Sequence, residues 1–401
     1  MNGLKFVLIA FFVWRIALFL PLFASEQFLS YRQGYDYTNI WKFTKPYEPV
    51  SHFLIYPWAN FDGVHYLSIA GSGYNNENLG FFPLFPAVIG LTSSLFGGGE
   101  TFGAIQFFAG FLLSNLAFLG ALFVLYKLIK LDYSIKVARL TVLFLLVFPT
   151  SFFFASIYSE SLFLLLTLFS FYFARREKWF LAGIFAMLTT LTRLVGITIL
   201  PALLFEFFKP FFQPPFLQPR RFHAPNLRGW TRAILAGLPI LLIPIGFLGF
   251  ALYNHMLTND AFYFIKAHGT LANSRSVETV ILIPQTVFRY GKILLSFPYT
   301  QFEWWIALLE LATFVFVAAL LFIAWKKKVR TSYLVFSLLA FLIPVSSGTF
   351  SGLPRYVLVL FPIFIALALT KNKLIQIAYA VASVILLFIL LMLFSKGYFV
   401  A

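Results

Sequence analysis

In the stretch NFDGVHYLSIAGSGYNNENLGFFPLFP, Asn60 to Pro86, three residues able to move or hold a proton stand close together: Asp62, His65 and Tyr66. Their i, i+3, i+4 spacing puts them on one face if Phe61 to Ala70 is helical, and Gly71 and Gly73 then end the helix. A carboxylate there can take the proton from an attacking hydroxyl. It can equally be an acid at a helix start, where the helix dipole stabilises it. His65 can steer the acid, touch a sugar, or sit as a satisfied interfacial histidine beside Tyr56, Trp58 and Phe61, aromatics of the kind found at a membrane boundary.

A second group is cationic. Arg15, Arg193 and Arg355 each fall within or at the edge of an apolar run, where a cation is costly unless it snorkels, pairs or meets an anionic ligand. Glu160, in YSES, opens another apolar run. Helix capping and the dipole account for an acid there, and a substrate or metal contact is the alternative. His255, Asp260, Lys266 and His268 have no familiar metal-ligand spacing.

The elements that must position these residues are set by composition. The chain has 401 residues, 61% hydrophobic and 20% aromatic, with only 11% charged. Soluble domains carry about 25% charged residues, so this is the composition of an all-α polytopic membrane protein. Candidate spans lie at about 6–24, 102–126, 138–156, 161–174, 179–192, 194–208, 233–254, 304–325, 331–346, 356–370 and 374–394, about eleven crossings in one membrane domain over 1–401. The first is long and has Arg15 at its middle, which reads as a retained span rather than a cleaved signal. Residues 81–96, short and opened by Pro83 and Pro86, read as an interfacial or re-entrant helix. No cysteine is present, which excludes disulfides, thiol chemistry and cysteine-ligated zinc.

The net charge of +16 is a topology signal. With the amino terminus in the cytoplasm, alternate loops hold nineteen Lys and Arg against three acids, and the rest of the chain is balanced. Nucleic acid need not be invoked. Residues 25–101, 255–303, 346–355 and the carboxyl terminus then face outward, and 209–232, with its prolines and arginines, is a basic cytoplasmic connector. Asp62 is on the outer side. Between basic loops, residues 179–208 must form a hairpin of two short helices with Arg193 at its tip.

The order FDGVHYLSIAGSGY then FFPLFP, followed by FPTSFFFASIYSESLFLLLTLFSFY, LTRLVGI and GLPRYVLVLFPIF, resembles the GPI mannosyltransferase II (PIG-V-like) family of the C-type (GT-C) glycosyltransferase superfamily. The resemblance implies a GT-C fold with a large first outer loop. It also implies transfer of a hexose, mannose by family, from a polyprenyl-phosphate donor to an acceptor at the outer face, with inversion. Asp62 becomes the candidate base, His65, Tyr66 and Glu160 candidate contacts to sugar or acceptor, and Arg193, Arg355 and Arg15 candidates for the donor phosphate, whose growing negative charge needs fixed cations. No cofactor is required by the resemblance, and a divalent metal stays open. The expected partners are the donor, a lipid, glycan or protein acceptor, and membrane lipids, in a bacterial plasma membrane or, in a eukaryote, the endoplasmic reticulum membrane. A flippase of polyprenyl-linked lipids would share the apolar bulk but needs polar groups along a path across the membrane, whereas here acids and histidines gather in outer loops. An assembly subunit with an inactive site would not need Asp62 in its motif.

Overall fold

The structure is a computed structural model that describes residues 2–35, 53–209, 235, 237–271 and 279–400, the side chains of 268–271 excepted. Helices are its only regular elements among those residues. Five segments have the length and apolar composition to cross a membrane: Gly3–Phe28, Ala104–Ile129, Leu238–Thr258, Phe302–Lys326 and Lys373–Ser395.

The other expected crossings form shorter helices packed inside this group. Glu160–Arg175 lies against Ala104–Ile129 and Trp179–Thr190, and the 179–208 hairpin is completed by Leu194–Phe208. Two expected spans are broken by proline, which has no backbone N–H to continue a helix. Ile135–Leu146 stops ahead of Pro149, and 356–370 divides into a turn of helix, Leu353–Tyr356, a short 3-10 piece and Pro362–Ala368, with Val357–Ala368 buried in the core. The stretch 81–96 holds a 12-residue helix, Leu84–Leu95. The connector expected at 209–232 lies, Lys209 apart, outside the described residues.

Charge collects at the two ends of Glu160–Arg175, roughly 23 Å apart at 1.5 Å per residue. At its C-terminal end Arg175 donates twice to Asp132, at 2.5 and 2.7 Å, while Arg330 grips Glu206 with two nitrogens and Ser332 donates to the same carboxylate at 2.7 Å. These ties join four helix ends on the face where the basic loops emerge. The N-terminal end carries Glu160 and the candidate site.

Candidate functional site

Asp62 is the first residue of the helix Asp62–Ser72, so the predicted face exists. The residue before it, Phe61, has φ +57° and ψ −115°, a conformation that costs a non-glycine residue about 1–3 kcal/mol. Phe61 is held there by its ring, which packs against Phe394 and Phe399. The chain leading in is bound to the segment before Glu160: Ile157 N–H donates to Trp58 O at 2.7 Å, Tyr158 Oη to Asn60 O at 2.8 Å, and Asn60 Nδ2 to Phe394 O at 2.9 Å. One turn on, Tyr66 Oη shares a hydrogen bond with Ser159 Oγ at 2.9 Å. Asp62 and Glu160, 98 positions apart, are thereby fixed as neighbours.

The arginines arrive from two further segments. Arg193 is extended backbone between the two arms of the hairpin, and Leu84 N–H of the FFPLFP element donates to Leu191 O at 2.9 Å, which anchors the tip. Gly196 allows the reversal, because a Cβ there would stand 2.5 Å from Thr189 O. Arg355 lies in Leu353–Tyr356, entered through Gly352 at φ +76° and tied down by Thr150 Oγ1, which donates to Pro354 O.

Four charged side chains then meet. Arg355 Nη1 donates to Asp62 Oδ2 at 2.6 Å, its Nε lies 3.4 Å from Glu160 Oε1, and Arg193 Nη1 pairs with the same Glu160 oxygen. Burial pushes the Asp62 carboxyl up, but Arg355, then His65 and Arg193, more than offset it and hold it below the ordinary carboxylate value. Burial likewise works against the charge on both arginines, and Asp62 for Arg355 and Glu160 for Arg193 outweigh it, so both stay cationic. Burial, with Glu160 and Asp62 nearby, raises Tyr66, which remains a neutral hydroxyl.

Asp62, Tyr66, Arg193, Arg355 and Tyr356 form the polar head of a cavity of about 760 Å³. Its body is mainly apolar, running between Leu194, Leu200 and Pro201 of the hairpin's second arm and Leu339, Ile343 and Pro344 of Thr331–Val345, with Thr198, Ser346 and Ser347 also in its wall. Ile265, Thr279 and Val280, from the stretch 255–303, line it too.

The other expected residues are placed differently. Glu160 is 1% exposed and lies behind the arginines rather than in the cavity wall. His65 stacks on Phe81, with ring centroids 4.9 Å apart, and does not line the cavity; burial lowers its pKa, which favours the neutral ring. Arg15 is not brought to the cavity at all. Its Nε donates to Asn115 Oδ1 at 3.0 Å and its guanidinium rests over Trp58, Phe19 and Phe111, nearest Trp58 at 4.3 Å. Trp58, expected at the membrane boundary, is 1% exposed because it forms this aromatic bed.

Two residues escaped the sequence reading. Tyr356 lies beneath both guanidiniums, 5.4 Å from Arg193 and 5.1 Å from Arg355, and Tyr158 lies 5.3 Å from Arg355. Their signal was present, since each directly adjoins a singled-out element, in PRYV and in IYSES. Among the described residues, no group of three His, Cys, Asp or Glu side chains is placed to hold a metal ion.

Comparison with solved structures gives three forms of the Archaeoglobus fulgidus oligosaccharyltransferase. The apo form is 13% identical with a TM-score of 0.46 and covers 86% of this chain and 52% of its own. The complex with Zn and sulfate is 12% identical with a TM-score of 0.42, covering 85% and 49%. The form tethered to an acceptor peptide containing the NVT sequon is 13% identical with a TM-score of 0.45, covering 85% and 51%. The chain thus spans about half the length of that protein. No curated protein matches the sequence. Residues 48–257 match the family described as Mannosyltransferase (PIG-V), a stretch that includes Asp62, Glu160 and Arg193 and ends before Arg355. With more than half of its length inside that match, the chain belongs to the mannosyltransferase (PIG-V) family.

Proposed function

We propose that this protein is a membrane glycosyltransferase that moves a hexose, mannose by family, from a polyprenyl-phosphate donor to an acceptor hydroxyl at the outer membrane face, with inversion. The observation that carries the reading is the cavity's division into a polar head, with one carboxylate and two guanidiniums, and an apolar body of about the size of a small-molecule site. That division suits a ligand whose charged phosphate and apolar chain are joined end to end.

In this reading Arg193 and Arg355 hold the phosphate, and the prenyl chain lies between Leu200 and Ile343. Asp62 takes the proton of the acceptor hydroxyl as it attacks the anomeric carbon from the side opposite the phosphate. The carbon–oxygen bond to phosphate breaks with its electron pair on the phosphate, where the two guanidiniums stabilise the new charge. Tyr66 and Tyr356, which both line the head, are placed to hydrogen-bond sugar hydroxyls. The helix stretch Leu162–Ala174, which separates the Glu160 cluster from the Asp132–Glu206 cluster, carries no charged side chain, which favours transfer at one face over passage across the membrane.

The test is transfer of radiolabelled mannose from a polyprenyl-phosphate mannose by purified protein to a panel of membrane-lipid and peptide acceptors. Labelled product with the parent, and about 10² to 10⁴ less with Asp62→Asn, is expected for loss of a general base. Equal product from the two proteins rejects Asp62 as the base.

A further inference from the structure

The charges of Asp62, Glu160, Arg193 and Arg355 cancel, and the two acids are held in different ways. Glu160 is enclosed behind the arginines and touches both. Asp62 is at the cavity wall, and its side chain retains a quarter of its exposure. Arg355 therefore has an ion-pair partner at Nε, 3.4 Å away without a hydrogen bond, and a hydrogen-bonded partner, at Nη1, that a ligand in the cavity can reach. The second bond poses a chemical problem. A carboxylate paired at 2.6 Å with a guanidinium is a poor proton acceptor, because the cation stabilises the ionised form and occupies a lone pair on Oδ2.

Resting on the donor reading above, we propose that the donor phosphate and the Asp62 carboxylate compete for Arg355 Nη1, so that donor binding takes the arginine from Asp62 and uncovers the base. Arg355 keeps its place during the exchange because Glu160 still faces its Nε and Tyr158 and Tyr356 still bracket its plane. Of the other groups around Asp62, His65, Glu160 and Tyr158 stay as they are, while Arg193 keeps Glu160 as its partner and, with Tyr66, meets the donor.

The step balances in charge as well as in bonds. With donor bound, the two carboxylates, the phosphodiester and the two arginines sum to one negative charge. The acceptor oxygen forms its bond to the anomeric carbon, its proton passes to Asp62, and the phosphate leaves as a dianion, so the sum is unchanged. Neutral Asp62 no longer competes for Arg355, and both guanidiniums are left to the dianion. An acceptor that arrives without donor meets a base that is still engaged.

Binding of farnesyl phosphate, with farnesol as the uncharged control, tests this on the full chain in detergent. The parent is expected to prefer the phosphate, and Arg355→Ala to lose that preference. Asp62→Asn is expected to bind farnesyl phosphate about tenfold more tightly than the parent, since the competing charge is gone. If the parent shows no preference for phosphate over alcohol, the donor site itself is rejected. If the parent prefers phosphate and Arg355→Ala does not, but Asp62→Asn binds no more tightly than the parent, the exchange alone is rejected. Should Asp62→Asn not fold, the pH profile of the parent decides. Exchange requires the acid limb of kcat, which reports the donor complex, to lie at higher pH than the acid limb of kcat/KM for donor, which reports the free enzyme. Coincident limbs overturn it.

Discussion

Glu160→Gln removes one charge and almost no volume from the centre of the site. In the parent, one Glu160 oxygen serves Arg193 and Arg355, whose side chains are only 14% and 7% exposed, so water cannot replace what the carboxylate supplies. Breaking a buried pair by neutralising one partner costs about 3–5 kcal/mol, because a buried charge is left uncompensated. Arg355 keeps Asp62 at 2.6 Å, which argues for the lower end, about 3 kcal/mol, carried mainly by Arg193. At roughly 2 °C per kcal/mol for a chain at or above the upper size range of the scaling, the melting temperature falls by about 6 °C. Glu303→Gln is the matched control. Its pair with Arg32, at 3.3 Å, is 61% and 40% exposed, so the same change there costs under about 1 kcal/mol. Differential scanning fluorimetry of the three proteins in one detergent reads both numbers. If Glu160→Gln melts within about a degree of the Glu303→Gln control, Glu160 does not carry a charge into this site and the arginines are held in place by other groups.

Orientation is tested on the naturally cysteine-free chain. Cysteines placed singly at Glu100 and Lys371, both exposed, should label from opposite sides with an impermeant thiol reagent, Glu100 from outside; labelling of Lys371 alone from outside reverses the topology. The Asp62–Arg355 pair predicts an acid dependence. Because the folded Asp62 pKa is lowered from 3.8, its stabilisation is complete above that value and is lost as pH falls through the folded pKa, so the stability difference between parent and Asp62→Asn should shrink below about pH 4. His65, lowered from 6.5 by burial against an upward pull from Asp62, takes its step earlier on the same descent, and because Asp62→Asn removes that pull the two steps are separated by pH rather than by subtraction; a parent-to-variant difference that stays constant between about pH 4 and pH 3 contradicts the pairing.

Much of the site was legible because its chemistry sits in short local patterns. The i, i+3, i+4 face of Asp62, His65 and Tyr66 needs only a helix, and that helix is present at Asp62–Ser72. The hairpin with Arg193 at its tip followed from charge bookkeeping, since basic loops on both sides of 179–208 force an even number of crossings. Arg355 could be singled out as a cation in want of an anion, and two anions are there. The mutual arrangement of these residues was not legible, because it depends on which turns bind to which. Asn60 to Tyr158, Tyr66 to Ser159 and Thr150 to Pro354 are contacts over 93 to 204 positions that no local pattern encodes.

Arg15 shows where reasoning from cost alone stops. A guanidinium in an apolar helix has to be compensated, but the compensation need not be an anion. Here it comes from a neutral acceptor, Asn115, and from the faces of three aromatic rings, one of them the Trp58 that composition had assigned to the membrane boundary. Arg355 has an aromatic bed of the same kind, from Phe153, Tyr158 and Tyr356, and differs in having carboxylates within 2.6 and 3.4 Å. The distinction between the two arginines therefore rests on the acids that folding brings to one and not to the other. Glu160, fixed at the start of its helix and outside the cavity wall, gives the pair of arginines its common direction, and Asp62, in that wall, holds the one contact to Arg355 that an anion in the cavity would meet.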